Sequence, residues 1–131
     1  MSIIYQNELI RIETEEREIP WLKIFTQEPY REMSELPHTL KLEIFELLDI
    51  IEKEMIRYYH PDKINIASFG NYVPHVHWHI MARFKGDSYF PEPMWGTKQR
   101  EADLDLPDFK AFCDMIAAAL TTKVRSYEYS F

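Results

Sequence analysis

The sequence predicts an α+β fold built on an antiparallel sheet, and three observations carry that prediction. Apolar residues alternate in short runs between residues 2 and 25 and again between 63 and 84. A long intervening stretch repeats its apolar residues at helical spacing, and a shorter one does so near the C-terminus. Strands, helix, strands, helix is the order of an α+β protein, because a parallel sheet would need a helix after each strand. With 131 residues and no repeat, low-complexity tract or linker, the chain reads as one domain over residues 1–131.

Each element has its own signal. Residues 2–14, "SIIYQNELIRIET", hold two short apolar runs broken at Gln6-Asn7, and "WLKIF" (21–25) alternates after a turn in "EEREIP". From Pro37 to Tyr59 the residues Leu40, Ile44, Leu47, Leu48, Ile51, Met55 and Tyr58 fall on one helical stripe, leaving Lys41, Glu43, Glu46 and Glu52 outside. Pro61 cannot continue that helix, so His60 stands at its C-terminal end as a charge or cap. "KINIASFGN" (63–71) reads as a strand stopping at Gly70-Asn71, and it should pair with the strand that follows Pro74. Residues 85–108, with three prolines and two glycines, read as irregular, and "PDFKAFCDMIAAAL" (107–120) as a second helix. The expected architecture is a sheet of about five strands with one long and one C-terminal helix.

Composition excludes several classes. Hydrophobic residues make up 46% and aromatics 15%, with only 3 glycines, which suits a packed core and not a disordered chain. A formal charge of −7 argues against nucleic acid as a partner, because phosphate backbones are bound by basic surfaces. The opening "MSIIYQNELIRIE" becomes charged too soon for a secretory signal, and no apolar run is long enough to cross a bilayer. A cytoplasmic protein without membrane contact is the expectation. Cys113 is the only cysteine, so an internal disulfide or a thiolate metal site is ruled out, and its apolar neighbours make it a packing residue.

The chemistry concentrates in "PHVHWHIMARF", residues 74–84. Successive strand side chains point to opposite faces, so His75, His77 and His79 share one face while Val76, Trp78 and Ile80 share the other. Such a face has three uses. A metal needs imidazoles within about 2.1 Å of one point. Residues four apart on a straight strand are roughly 13 Å apart, so a further ligand from elsewhere is required. A nucleophilic histidine needs one unprotonated nitrogen, which a hydrogen bond from the other nitrogen to a backbone carbonyl secures, with neighbouring histidines donating to phosphoryl oxygens. The plainest use is a polar strand face with satisfied hydrogen bonds. Three histidines in register beside a Gly-Asn turn favour function over that last reading.

His75-Val76-His77-Trp78-His79-Ile80-Met81 resembles, at every position, the His-φ-His-φ-His-φ-φ pattern (φ apolar) of the histidine triad, or HIT, nucleotide-binding proteins. Asn65 and Gly70-Asn71-Tyr72-Val73-Pro74-His75 follow the path by which that family enters its triad. Pro20-Trp21-Leu22 and the tail from Phe90 to Trp95 are similar to those of small bacterial members. The resemblance covers most of the chain.

It implies a HIT-like fold and a hydrolase or nucleotidyl transferase acting on the α-phosphate of purine nucleotide conjugates, of dinucleoside polyphosphate or phosphoramidate type. The nucleotide is carried covalently on His77. His79 contacts the phosphate and assists the leaving group, and His75 holds the strand and turn. Asn71, in the place of a family glutamine, binds a phosphoryl oxygen beside Gly70 and Tyr72. Asn65 lies close to phosphate or ribose, and Glu13 falls near the acid that binds ribose hydroxyls. No metal or other cofactor is required, and a homodimer with joined sheets is expected. Tyr72 replaces a family Ser or Thr near the leaving group, and Trp21 stands where many members carry a fourth histidine. Arg83 is either a solvated residue or a phosphate contact, and Leu9, Ile12 and Phe25 are either a slot for the base or core. The competing reading is a nucleotide-binding sensor that keeps the pocket without turnover; a metal-dependent enzyme using His75 and His77 is a weaker third.

Overall fold

The computed structural model describes residues 1–129, with side chains described through residue 122. Five strands form one antiparallel sheet: β1 (Ile3–Gln6), β2 (Ile10–Thr14), β3 (Trp21–Thr26), β4 (Lys63–Ala67) and β5 (His77–Arg83), in the spatial order β1-β2-β3-β5-β4. Two helices, α1 (His38–Tyr59) and α2 (Phe109–Tyr129), and a 3₁₀ turn at Met33–Glu35 complete the chain. This is the predicted α+β architecture. Among the described residues no helix is long and apolar enough to cross a membrane.

The sheet has one dry face. Ile10, Ile12, Leu22, Ile24, Trp78, Ile80 and Ala82 are buried on it, and α1 lies across β5 with Leu40, Ile44, Leu47, Leu48, Ile51, Met55 and Tyr59 turned inward. The helical stripe is the expected one, with Tyr59 buried in place of Tyr58 at its end. Each fully buried aliphatic side chain contributes roughly 1.5–3 kcal/mol, so this layer is the main source of stability. α1 ends where His60 turns into the left-handed region at φ 50° and its N–H reaches the carbonyl of Ile56, with Pro61 preventing another turn.

Three boundaries differ from the expectation. β4 stops at Ala67, because the Ser68 hydroxyl donates to the His77 carbonyl at 2.6 Å, and Gly70 at φ 74° then bends the chain away. β5 begins at His77, which leaves His75 in the approach to the strand. α2 begins at Phe109, with the carboxylate of Asp108 accepting the Ala111 N–H at 2.9 Å, and continues to Tyr129 because neither Gly nor Pro interrupts residues 109–129. It buries Phe112, Cys113, Ile116 and Leu120 and packs against β1 and α1. Burial pushes the Cys113 thiol up to about 11, consistent with packing.

Residues 84–108 are irregular yet firmly tied. Arg83 is buried, and its guanidinium binds both oxygens of Asp87 (2.9 and 3.1 Å), the carbonyl of Glu92 (2.7 Å) and Oδ1 of Asn65 (2.8 Å). Arg83 is therefore neither a solvated residue nor a free phosphate contact. Arg100 adds bonds to the carbonyls of Asp87 and Phe90, and Ser88 binds Glu18. At Gly86 an added Cβ would stand 2.6 Å from the Asp103 carbonyl oxygen, so only glycine fits that close approach. The segment folds back over the second face of the sheet and brings Trp95 to the histidines.

Candidate active site

The second sheet face follows from the register. Phe25 pairs with His77 and Lys23 with His79 across β3 and β5, so these four side chains share it, while Arg11 and Glu13 extend it along β2. Beyond the strand end, Phe69, Gly70, Asn71, Tyr72 and Val73 form a wall, and Trp95 closes the side. Together with Phe25, His77 and His79 they enclose a cavity of about 510 Å³. That is room for a small ligand.

The histidines have distinct partners. His77 Nδ1 lies 2.8 Å from the carbonyl of His75, an acceptor, so Nδ1 carries hydrogen and Nε2 of the neutral ring holds the lone pair. The ring stacks on Phe25 at 4.8 Å and 17°, and the Arg11 guanidinium lies over Phe25 at 4.5 Å. His75 Nε2–H donates to the carbonyl of Thr26 at 2.7 Å, which ties the approach loop to the end of β3. His79 is 8% exposed and its Nδ1 accepts the indole N–H of Trp21 at 2.9 Å. Burial, with the neighbouring His77 and Lys23, draws its pKa down to about 4, while Glu15 acts weakly the other way. His79 is neutral at neutral pH.

Most of the sequence-derived residues converge here. His77, His79, Gly70, Asn71 and Tyr72 line the cavity, with Tyr72 fully exposed, and His75 braces it from the side. Two do not reach it. Asn65, on the same sheet face but nearer the end of β5, is bound by Arg83 and lines a neighbouring hollow with Met81 and Trp95. Glu13 is paired with Arg11 at 2.7 Å, outside the cavity lining. Of the three base-slot candidates, Ile12 is core, Leu9 is exposed and Phe25 lines the cavity. The place of Phe69, Val73 and Trp95 in the cavity wall escaped the sequence reading; their signal is large apolar residues outside the strands and helices. Trp95 is half-exposed and touches Trp21, Phe69 and His79, with ring centroids at 5.3, 4.8 and 4.9 Å.

Among the described residues no charged side chain lines the cavity. The nearest cations are engaged, Lys23 by Glu15 at 2.8 Å and Arg11 by Glu13. Among the described residues no three His, Cys, Asp or Glu side chains converge as a metal-ligand group. The arrangement offers a ring nitrogen with a free lone pair, a second imidazole, and the polar Gly70-Asn71 turn, all against aromatic walls.

Comparison with known proteins agrees with this geometry. The HIT domain family model matches residues 2–86. A histidine triad protein of Bradyrhizobium japonicum is 28% identical, with a TM-score of 0.71 over 89% of this chain and 86% of that chain. One from Sinorhizobium meliloti is 26% identical (TM-score 0.72, 88% and 87%), and one from Marinobacter aquaeolei is 26% identical (0.69, 91% and 85%). No curated protein sequence matches the chain. The family model spans well over half of the sequence and includes all three histidines: the chain belongs to the HIT, or histidine triad, family.

Proposed function

We infer that the protein is a nucleotide hydrolase or nucleotidyl transferase that acts on the α-phosphate of purine nucleotide conjugates through a covalent nucleotidyl-histidine. The observation that carries this reading is the His77 Nδ1–H bond to the His75 carbonyl, which gives the neutral ring the tautomer with its lone pair on Nε2. In the first step Nε2 attacks phosphorus, the P–N bond forms, and the bond to the leaving group breaks with its electron pair departing on that group. In the second, water attacks phosphorus, the P–N bond breaks, and a nucleoside monophosphate leaves with the ring restored. His79 holds a phosphoryl oxygen, and the amide of Asn71 and the backbone of Gly70 and Tyr72 supply further donors from the turn. Phe25, Phe69 and Trp95 give the base apolar walls. His75 keeps the loop and the His77 tautomer in place.

The same resemblance supports a homodimer formed through β4. That strand is a sheet edge, with Ile66 exposed beside the exposed Phe45 of α1. Light scattering should give twice the monomer mass.

The experiment for the mechanism is a rapid neutral denaturing quench during turnover of AMP conjugates. It should trap a chain heavier by one nucleotidyl group, with the label on His77. His77→Asn should bind nucleotide yet form no adduct and show no turnover. Full turnover by that variant overturns the mechanism, and nucleotide binding without adduct or turnover over a broad panel supports the sensor reading instead.

A further inference from the structure

Trp21 opens β3, and its side chain reaches His79 across the sheet. Its Nε1–H lies 2.9 Å from His79 Nδ1, and both side chains are buried. An indole nitrogen donates and cannot accept, so the imidazole nitrogen facing it is the one without hydrogen. The proton of neutral His79 is therefore on Nε2. Protonating Nδ1 would set two N–H groups against each other in a place closed to water, at the cost of the bond. The charged and titratable groups around His79 are His77 on β5, Lys23 on β3 and Glu15 just after β2, the last two paired with each other. The remaining neighbours, Trp21, Phe69 and Trp95, are uncharged rings, with the Arg17 guanidinium 5.7 Å from the Trp21 ring on its far approach.

We propose that Trp21 is a positioning residue which locks His79 as a neutral Nε2–H donor, a constant hydrogen bond for a phosphoryl oxygen and not an acid that gives its proton away. The proposal rests on the nucleotidyl-transfer reading above and adds a proton inventory to it. While the His77 Nε2–P bond forms and the bond to the leaving group breaks, His79 keeps its hydrogen. The leaving group takes its proton from water. The indole can only donate, so the tautomer is fixed by chemistry and not by pH.

The test reads the imidazole nitrogens of the full-length protein by long-range ¹H–¹⁵N correlation, without substrate. Wild-type His79 should show only the Nε2–H tautomer and no titration above about pH 5. Trp21→Phe removes the donor and keeps a ring. It should give mixed tautomers, a His79 that titrates above pH 5, and a kcat lower by about ten-fold with KM little changed. Trp21→His, whose ring can donate or accept, should recover only part of the Nε2–H tautomer and part of kcat. Nδ1–H on wild-type His79 overturns the proposal even if the variants fail to fold, as does a Trp21→Phe protein with unchanged tautomer, titration and kcat. The two readings fail separately. Absence of adduct on every nucleotide conjugate removes the transfer mechanism and leaves the lock measurable, whereas an adduct formed beside a freely titrating His79 keeps the mechanism and removes the lock.

Discussion

Arg83 and Asp87 face each other as a two-pronged pair, Nε to Oδ2 at 2.9 Å and Nη2 to Oδ1 at 3.1 Å, with 2% and 0% of their side chains exposed. Breaking one partner strands the other charge in the interior, so Asp87→Ala should cost about 3–5 kcal/mol in urea unfolding. Because the pair anchors the segment that carries Trp95, kcat/KM should fall as well. A loss under about 1 kcal/mol would mean that water reaches the guanidinium.

Acid should act through the same carboxylate. Burial pushes Asp87 up, but the Arg83 guanidinium and the N–H groups of Phe84, Tyr89 and Phe90 together outweigh it and hold the group below its ordinary 3.8. A depressed folded pKa contributes stability above the unfolded value and loses it as pH falls through the folded one. The wild type should lose stability below about pH 4 more steeply than Asp87→Asn, measured by urea midpoints along a pH series.

His79 adds a second slope at milder pH. Its folded pKa of about 4 lies below the ordinary 6.5, so the unfolded chain binds a proton that the folded chain refuses. Stability should decline from about pH 6.5 towards pH 4, by up to roughly 3 kcal/mol, and His79→Gln should flatten that decline. An identical pH profile in the variant would place the protonated ring comfortably in the folded site.

The turn at Gly70-Asn71 offers a kinetic test. Asn71→Ala should lower kcat by about one to three orders of magnitude, by analogy with removal of an oxyanion donor. Gly70→Ala, at φ 74°, should destabilise the turn by about 1 kcal/mol. An unchanged kcat in Asn71→Ala would mean that the turn does not touch the phosphate.

Activity should survive dialysis against a chelator. His75 Nε2 is taken up by Thr26 and His77 Nδ1 by a carbonyl, and no third ligand joins them among the described residues. Loss of activity with recovery on adding zinc would favour a metal-activated water over the histidine nucleophile.

Period-two alternation is a strong local signal, and it placed His77 and His79 on one face with Trp78 and Ile80 on the other. Six of the seven residues of the α1 stripe were equally legible, the last being Tyr59 and not Tyr58. What sequence could not convey depends on register. Trp21 is 58 residues from His79, and only the β3–β5 pairing shows that its indole N–H reaches the His79 ring. Arg83 looked like any charged residue after a strand until Asp87, Asn65 and the Glu92 carbonyl enclosed it. Asn65 and Glu13 carry the right chemistry for a nucleotide, but neighbouring guanidinium groups hold them. His75 lies outside the strand, in an approach whose backbone N–H groups bond elsewhere, His75 to the Val73 carbonyl and Val76 to that of Tyr30.

The chain has three tryptophans, and their placement makes the cavity self-reporting. Trp21 and Trp95 stand edge to face at 5.3 Å with His79 against both, while Trp78 is buried on the opposite side of the sheet. A ligand that displaces water from the half-exposed Trp95 should blue-shift and alter the intrinsic emission, with Trp78 as an internal reference. Trp95→Phe removes the responsive fluorophore and should abolish that change, so occupancy can be followed optically without a labelled nucleotide.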